Sequence, residues 1–213
     1  MNIKGVIFDC DGTLVDSETI SMGVLQQLCA EHGLTLSMEE AMESFAGNEL
    51  SVVLDILQDK LNRKLPNDFL DTFRSKQLAE LAQSLTAIDG AFDLVQSLTV
   101  PICVASNAPL SKVNLCLQVT SLDQFFSPDR ILSAYTIKKW KPAPDLFLQA
   151  AKELSVAPQD CLVVEDSLFG VQAGVAAGMQ VVALDRHSGF SQLPEGVIRI
   201  KCLSEISQLV TWG

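Results

Sequence analysis

The chain has 213 residues, of which 48% are hydrophobic and 19% are charged. This composition is typical of a folded globular protein and too apolar for a disordered one, and the length suits one core or a core domain with a smaller insert. The formal net charge of -11 at pH 7 would repel nucleic acid and anionic lipid, so we expect neither nucleic acid nor a membrane as a partner.

The apolar run at residues 5–8 ends at Asp9. It is too short for a signal peptide or a membrane span, and we therefore expect a cytoplasmic protein. The cysteines form no CxxC pair and mostly interrupt apolar runs, so we expect them to be reduced, buried and structural. They are Cys10, Cys29, Cys103, Cys116, Cys161 and Cys202.

The run at residues 5–8 is the first of several short, continuous apolar runs, which predict strands buried on both faces. Helical patterns lie between the later runs, and strands that alternate with helices predict an α/β fold with a doubly wound, Rossmann-like parallel sheet. The other predicted strands are at residues 102–105, 161–164 and 181–184, and the helices of this part are at residues 91–98, 112–119, 145–154 and 170–177.

Residues 15–86 differ, because they contain no convincing strand and predict consecutive amphipathic helices. A helix that starts at Ser17 should end at Gly33, and Ser37 with Glu40 predicts a capping box for the next helix. Two further helices are expected near residues 50–61 and 69–85. We therefore predict an all-helical cap domain at residues 15–86, inserted into a core domain of residues 1–14 and 87–213.

Polar side chains follow three predicted strands at the points where the strands end. Each group alone has an ordinary explanation, as a polar turn, a helix cap or a partner of a helix dipole. Together they are more informative, because the carboxyl ends of parallel strands meet at the edge of the sheet where ligands bind. The residues at this edge are Asp9, Asp11, Ser106, Asn107, Glu165 and Asp166, with Lys141 in a loop between two strands.

Carboxylates crowded at one edge would repel each other, by about 4 kcal/mol for two charges 4 Å apart at an effective dielectric near 20. A divalent cation would relieve this repulsion. Oxygen ligands without clustered His or Cys favour Mg²⁺ over zinc, and the sharing of a substrate phosphate favours it over calcium. The predicted magnesium ligands are Asp9, Asp11, Glu165 and Asp166.

These residues resemble the four motifs of the haloacid dehalogenase superfamily of phosphohydrolases. The motifs match the DxDGT segment at residues 9–13, the strand end at Ser106, the loop at Lys141, and the pair Glu165-Asp166. The resemblance covers essentially the whole chain. Residues 164–179 are similar to the subgroup with a helical cap after the first motif, which includes β-phosphoglucomutase-like and 6-phosphogluconate phosphatase-like proteins.

The resemblance implies a magnesium-dependent phosphatase that acts on a small phosphorylated metabolite through an aspartyl phosphate. Asp9 would be the nucleophile and Asp11 the general acid and base. The substrate would be a sugar phosphate or a sugar-acid phosphate such as 6-phosphogluconate, and the protein a monomer or small homo-oligomer. Phosphate binding would fall to Ser106, Asn107 and Lys141, while Asp166 would anchor the metal and Glu165 would ligate it directly or through water.

Other activities remain open on the same motifs. A β-phosphoglucomutase resembles the core nearly as well, but such mutases have a histidine in the first cap helix, where spacing gives Ser21 in this chain. A phosphoglycolate phosphatase is a further alternative. A haloacid dehalogenase is disfavoured by Asp11 and by the pair Glu165-Asp166, and a non-catalytic phosphate-binding protein by the complete set of motif residues.

Substrate specificity in this subgroup comes from the cap. The turn at residues 46–49 resembles a loop that reaches over the pocket, which makes Gly47 and Asn48 candidates for substrate binding. Arg74 and Lys76 are candidate cations for a second anionic group, although a turn and solvated side chains would explain these four residues more simply. Trp140, in place of the glycine usual before the motif lysine, resembles phosphatases of the 6-phosphogluconate type.

Overall fold

A computed structural model describes residues 2–45, 50–186 and 189–212 of the protein. The chain divides into two compact units, one formed by Met1–Asp16 with Thr86–Gly213 and the other by Ser17–Leu85. We call the first the α/β unit, because it contains the main sheet, and the second the helical unit.

The strands and helices of the described residues are numbered in chain order. The strands are β1 (Asn2–Ile3), β2 (Gly5–Phe8), β3 (Ile102–Ser106), β4 (Ile131–Ser133), β5 (Cys161–Glu165), β6 (Gln180–Leu184), β7 (Ile198–Ile200) and β8 (Thr211–Trp212). The helices are α1 (Ser17–Glu31), α2 (Met38–Phe45), α3 (Leu50–Leu61), α4 (Phe69–Ser84), α5 (Ala91–Ser97), α6 (Leu110–Val119), α7 (Ala134–Ile137), α8 (Asp145–Leu154), α9 (Leu168–Ala176) and α10 (Ile206–Leu209).

Six strands of the α/β unit form a parallel sheet in the spatial order β4-β3-β2-β5-β6-β7. From β2 the chain moves outward through β3 to β4, and then returns to build β5, β6 and β7 on the other side. The strand order therefore reverses beside β2, and in such sheets ligands bind outside the carboxyl ends of the strands at this point. The predicted doubly wound α/β fold is confirmed.

Burial explains the sequence of the middle strands. Every residue of β2, β3 and β5 is buried. Apart from Ser106 and Glu165 at the strand ends, their side chains are apolar on both faces, so the strands appear as continuous apolar runs. Helix α8 packs on β2 and β3 with Leu146, Phe147 and Ala150 fully buried. Full burial of a side chain such as Phe147 contributes about 1.5–3 kcal/mol, and this packing fixes the strand ends that carry the polar residues.

The sequence patterns do not predict the edge strands β4 and β7. Each has three residues and is only partly buried, so neither produces an apolar run that differs from the neighbouring loops. The longer helices of the α/β unit agree with the prediction within two residues, and α8 spans the predicted residues 145–154.

The helical unit consists of α1 to α4 around an apolar core of its own. Leu25, Leu57 and Phe73 are among the side chains fully buried there. The capping box predicted for α2 is present, because the Glu40 N–H donates to Ser37 Oγ at 3.1 Å and the Ser37 N–H donates to the Glu40 carboxylate at 2.8 Å.

The cysteines are all free thiols, and all but one are buried. The expected burial is wrong for Cys202, which is exposed and lies at the start of a 3₁₀ turn with its sulfur 3.1 Å from Ser204 Oγ. Within the part of the chain that the structure describes, no helix has the length and apolarity needed to cross a membrane.

Candidate active site

A buried lysine joins two buried carboxylates at the carboxyl edge of the sheet. Lys141 Nζ lies 2.5 Å from Asp9 Oδ1 and 2.6 Å from Glu165 Oε1. Lys141, Asp9 and Glu165 are 5%, 7% and 1% exposed. Hydrogen bonds between charged groups are short and about twice as strong as neutral ones, so the three side chains hold each other in place. We call this group the Lys141 triad.

Two neighbouring strands and one loop bring the triad together. Asp9 follows β2, and its backbone N–H donates to the Val164 carbonyl of β5 at 3.0 Å. Glu165 is the last residue of β5. Lys141 lies in the loop before α8, and its ammonium group is 4.8 Å from the centre of the Phe147 ring, within cation–π distance. Each member is therefore positioned by an ordered element of the α/β unit.

Asn107 fixes the backbone of the lysine loop. Its Oδ1 atom accepts from the Lys141 N–H at 2.9 Å, and its Nδ2 atom donates to the Lys141 carbonyl at 3.4 Å. Both ends of the amide thus contact the Lys141 backbone, and the predicted contact of Asn107 with phosphate stays a prediction. Ser106 ends β3, is buried, and accepts at its Oγ atom from the Ala108 N–H at 3.0 Å.

Burial controls the protonation of the triad. Loss of solvent raises the pKa of Asp9 to about 8, because the attraction of Lys141 only partly offsets burial and the repulsion of Glu165. Burial lowers the pKa of Lys141, but the charges of Asp9 and Glu165 raise it by more, so the lysine stays charged. A further positive charge near Asp9 would lower its pKa.

Asp11 is paired with a second lysine, Lys112. The Lys112 Nζ atom lies 2.7 Å from Asp11 Oδ1, and the side chains are 15% and 25% exposed. Burial lowers the pKa of Lys112, and the charge of Asp11 raises it by more, so the pair is ionic. Lys112 is the third residue of α6. Its contact with Asp11 could not be predicted from the sequence, because a lysine in the first turn of a helix carries no signal of where its ammonium group lies.

Asp166 approaches the turn after Asp9 through space that Gly12 leaves open. A Cβ atom on Gly12 would lie 1.9 Å from Asp166 Oδ2, and the φ angle of Gly12 is +77°, which favours glycine. The Thr13 hydroxyl donates to Asp166 Oδ1 at 3.0 Å. The missing side chain at residue 12 therefore allows another carboxylate to lie beside the turn.

The four predicted metal ligands do not form one cluster in this structure. Among residues 2–45, 50–186 and 189–212, no three His, Cys, Asp or Glu side chains are grouped so that they could hold a metal ion. Three of the four carboxylates form ion pairs with lysines: Lys141 contacts Asp9 and Glu165, and Lys112 contacts Asp11. The predicted ligands were Asp9, Asp11, Glu165 and Asp166.

Both oxygens of the Glu165 carboxylate accept hydrogen bonds from neighbouring residues, and its predicted role as a metal ligand stays a prediction. One of its carboxylate oxygens accepts from Lys141, and the other accepts from the N–H and the hydroxyl of Ser167 at 2.8 and 2.9 Å. Both oxygens are thus used inside the protein. The carboxylates of Asp9 and Asp166, at the turn that Gly12 leaves open, are ligands of the type that Mg²⁺ prefers, so the donor chemistry of this edge fits a hard divalent cation.

The predicted substrate-binding residues of the helical unit fall into two groups. Gly47 and Asn48 lie outside the described residues. Lys76 on α4 forms an ion pair of 2.5 Å with Glu31 of α1, so its charge is used within the helical unit. Arg74 is partly buried on the same helix.

The sequence matches the family model for haloacid dehalogenase-like hydrolases over residues 6–184, a segment that contains the whole Lys141 triad. The chain is 38% identical to the 6-phosphogluconate phosphatase of Escherichia coli strain K12 over 180 residues, which are 84% of this chain and 81% of that protein. It is 29% identical over 212 residues to hexitol phosphatase A of the same strain, covering 97% of this chain and 94% of that protein.

Two solved structures are similar over nearly the whole chain. A haloacid dehalogenase-like protein of unknown function from Agrobacterium tumefaciens has a TM-score of 0.83 at 31% identity, covering 98% of this chain and 97% of that one. A hydrolase of the same family from Deinococcus radiodurans, with bound phosphate and sodium, has a TM-score of 0.74 at 32% identity, covering 99% and 91%.

Proposed function

Because the chain belongs to the haloacid dehalogenase-like hydrolase family, we propose that it is a magnesium-dependent phosphatase of a small sugar phosphate or sugar-acid phosphate. Its relatives include phosphatases of such sugar-derived phosphates. In this proposal Asp9 attacks phosphorus, the bond to the leaving alcohol breaks, and the phosphoryl group is carried on Asp9 until water hydrolyses it.

The observation that carries the proposal is the Lys141 triad at the carboxyl ends of β2 and β5. A carboxylate can attack phosphorus without a base when it is ionised and aligned. Lys141 aligns Asp9 through a hydrogen bond of 2.5 Å, and Glu165 holds the lysine from its other side at 2.6 Å. The same ammonium group would stabilise the charge on the oxygens of the transferred phosphoryl group.

Ser106 and Asp11 complete the chemistry. The hydroxyl of Ser106, at the end of β3, would donate to a phosphoryl oxygen. Asp11 would protonate the leaving alcohol and then accept a proton from the water that hydrolyses the aspartyl phosphate. Asn107 would act on Lys141 through its two hydrogen bonds to the lysine backbone.

Asp9 and Asp166 would hold the magnesium ion, with Asp11 beside them, and Glu165 would stay with the lysine. When bound, the ion would neutralise charge on the phosphoryl group and favour the ionised form of Asp9. The need for such charge follows from the residues at this edge. They carry four carboxylates and two ammonium groups, which give a formal net charge of -2.

The fate of the phosphoryl group separates a phosphatase from a phosphomutase. Ser21 is at the position where the mutases have a histidine, and its hydroxyl is used inside the helical unit. It donates to the Ser17 carbonyl and accepts from Gln77 Nε2, both at 2.7 Å. A serine bound in this way is a poor substitute for a titrating imidazole, which favours transfer to water.

The proposal is tested by phosphate release from 6-phosphogluconate, phosphoglycolate, hexose phosphates and acetyl phosphate, with magnesium or with a chelator. We expect turnover of at least one sugar-derived phosphate with magnesium and loss of turnover in the chelator. Asp9→Asn should lower turnover by at least about 10³-fold, as expected for removal of a nucleophile. Asp93→Asn makes the same change at an exposed position of α5 and should leave turnover unchanged.

Turnover that survives Asp9→Asn would contradict the proposed nucleophile, and turnover that survives the chelator would contradict the proposed metal. Conversion of β-glucose 1-phosphate to glucose 6-phosphate without phosphate release would identify a mutase instead. The ranking of the substrates separates 6-phosphogluconate from phosphoglycolate and the hexose phosphates.

A further inference from the structure

Lys112 is a partly buried cation that the proposed reaction does not use. Its Nζ atom lies 2.7 Å from Asp11 Oδ1, and its side chain is 15% exposed. It extends from the first turn of α6, whereas Lys141 extends from the loop before α8. Two separate elements thus each provide a lysine to one candidate catalytic carboxylate: Lys141 to Asp9 and Lys112 to Asp11.

The location of the Lys112 pair is hard to explain by stability alone. Removing charged groups from water is unfavourable, and pairing offsets this only when the geometry is good. The same unit contains an ordinary surface pair, Lys4 with Asp160, at 2.9 Å with side chains 54% and 30% exposed. The Lys112 ammonium group instead lies beside the DxDGT turn, where its charge acts on Asp11, a residue of the proposed reaction.

The helix that carries Lys112 is well suited to hold a side chain in a fixed position. Helix α6 packs on β4, and Val113, Cys116 and Leu117 are fully buried. Val113 directly follows Lys112, so the backbone at the lysine is anchored by the core. The backbone from which the Lys112 side chain extends is therefore held by the α/β core.

We propose that Lys112 is a positioning residue, which holds the Asp11 carboxylate where it accepts a proton from the water that hydrolyses the aspartyl phosphate. The inference rests on the proposed function, in which Asp11 is the general acid and base. Proton transfer requires hydrogen-bond distance, and a displacement near 1 Å can lower a rate by about 10²-fold. Lys112 should therefore affect hydrolysis of the aspartyl phosphate more than the attack by Asp9, which Lys141 aligns.

A double-mutant cycle of Lys112→Met and Asp11→Asn tests this, with 6-phosphogluconate and p-nitrophenyl phosphate as substrates and magnesium present. The p-nitrophenolate group leaves without protonation by an acid, so the rate of the initial burst of p-nitrophenolate reports attack by Asp9. The steady-state rate reports hydrolysis of the aspartyl phosphate. We expect Lys112→Met to lower kcat by about 10- to 100-fold, with KM and the burst rate within about threefold of wild type.

In the Asp11→Asn background, the same change at Lys112 should have no further effect on either substrate, because Lys112 acts through Asp11. Lys112→Arg should recover most of the lost kcat, since it keeps the charge. Lys152→Met, an exposed position on α8, should match wild type. If Lys112→Met does not fold, Lys112→Gln replaces it in the cycle with the same expectations.

Three results would overturn the inference: equal losses in both Asp11 backgrounds, a burst rate that falls as much as kcat, or a loss confined to KM. Asp11→Asn alone separates this failure from failure of the proposed function. If that variant keeps wild-type turnover, the role of Asp11 is wrong and the inference is lost with it. If it is inactive while Lys112→Met matches wild type, only the inference about Lys112 fails.

Discussion

The α/β unit and the helical unit use charged residues in different ways. In the α/β unit, the side chains of Lys141 and Glu165 are 2% and 1% exposed. In the helical unit, Lys76 pairs with Glu31 at the surface, and those side chains are 38% and 53% exposed. The nitrogen–oxygen distances are nearly equal, 2.6 and 2.5 Å, so the two pairs differ in burial and not in contact.

This difference in burial changes what each ion pair contributes to stability. An exposed pair contributes about 0–1 kcal/mol to stability. Removal of one partner from a buried pair costs about 3–5 kcal/mol, although replacement of the whole pair by apolar side chains is often neutral. Stability therefore gives little reason to bury three charged groups at the end of a sheet, whereas the proposed alignment of Asp9 as a nucleophile would give one.

The largest effect is expected for Lys141→Met, which leaves Asp9 and Glu165 without their shared cation. The free energy of unfolding should fall by about 3–5 kcal/mol. Phosphatase activity should fall by at least about 10³-fold, because the cation at the transferred phosphoryl group is also lost. Urea unfolding and phosphate release measure the two effects. A variant with wild-type activity would show that the triad is structural.

Two glycine substitutions should change the free energy of unfolding by less than Lys141→Met does. The two changes should have opposite signs, one in each unit. Gly170 lies in α9, where a Cβ atom would be 1.8 Å from Glu165 Oε1, whereas Gly23 lies in α1 with nothing within 4 Å of a Cβ atom. Gly170→Ala must displace Glu165, so we expect a loss of about 1–3 kcal/mol and lower activity. Gly23→Ala should stabilise the protein by about 0.5–1 kcal/mol. Urea unfolding that gives the same sign for both would contradict this account.

The smallest effect is expected for Lys76→Met, the surface counterpart of Lys141→Met. Since the pair with Glu31 is exposed, the free energy of unfolding should change by less than about 1 kcal/mol. The change should shrink further in high salt, because exposed charges are screened. A cost as large as that of Lys141→Met would show that burial does not distinguish the two pairs.

The sheet could be predicted largely from the sequence, because β2, β3, β5 and β6 are almost entirely buried and are apolar except at strand ends such as Ser106, Glu165 and Gln180. The short edge strands could not, since partial burial leaves no such pattern. The family resemblance read from the motifs is confirmed by the match over residues 6–184.

The candidate site could be predicted in part. The strand ends indicate that Asp9, Glu165 and Lys141 meet at one edge, although Asp9 and Lys141 are 132 residues apart in the chain. The hydrogen bonds of Glu165 to Lys141 and Ser167 could not be predicted, because they depend on side-chain packing. The path of Lys112 from α6 to Asp11 was missed for the same reason. The roles suggested for Arg74 and Lys76 stay predictions.

The central claim is that Asp9 carries the phosphoryl group, and trapping that intermediate tests it most directly. Wild-type protein with magnesium and acetyl phosphate or 6-phosphogluconate would be quenched in acid, digested, and analysed by mass spectrometry. The account predicts a phosphoryl group on the peptide that contains Asp9, and none on that peptide in Asp9→Asn. A phosphoryl group on another residue, or rapid phosphate release with full turnover in Asp9→Asn, would contradict it.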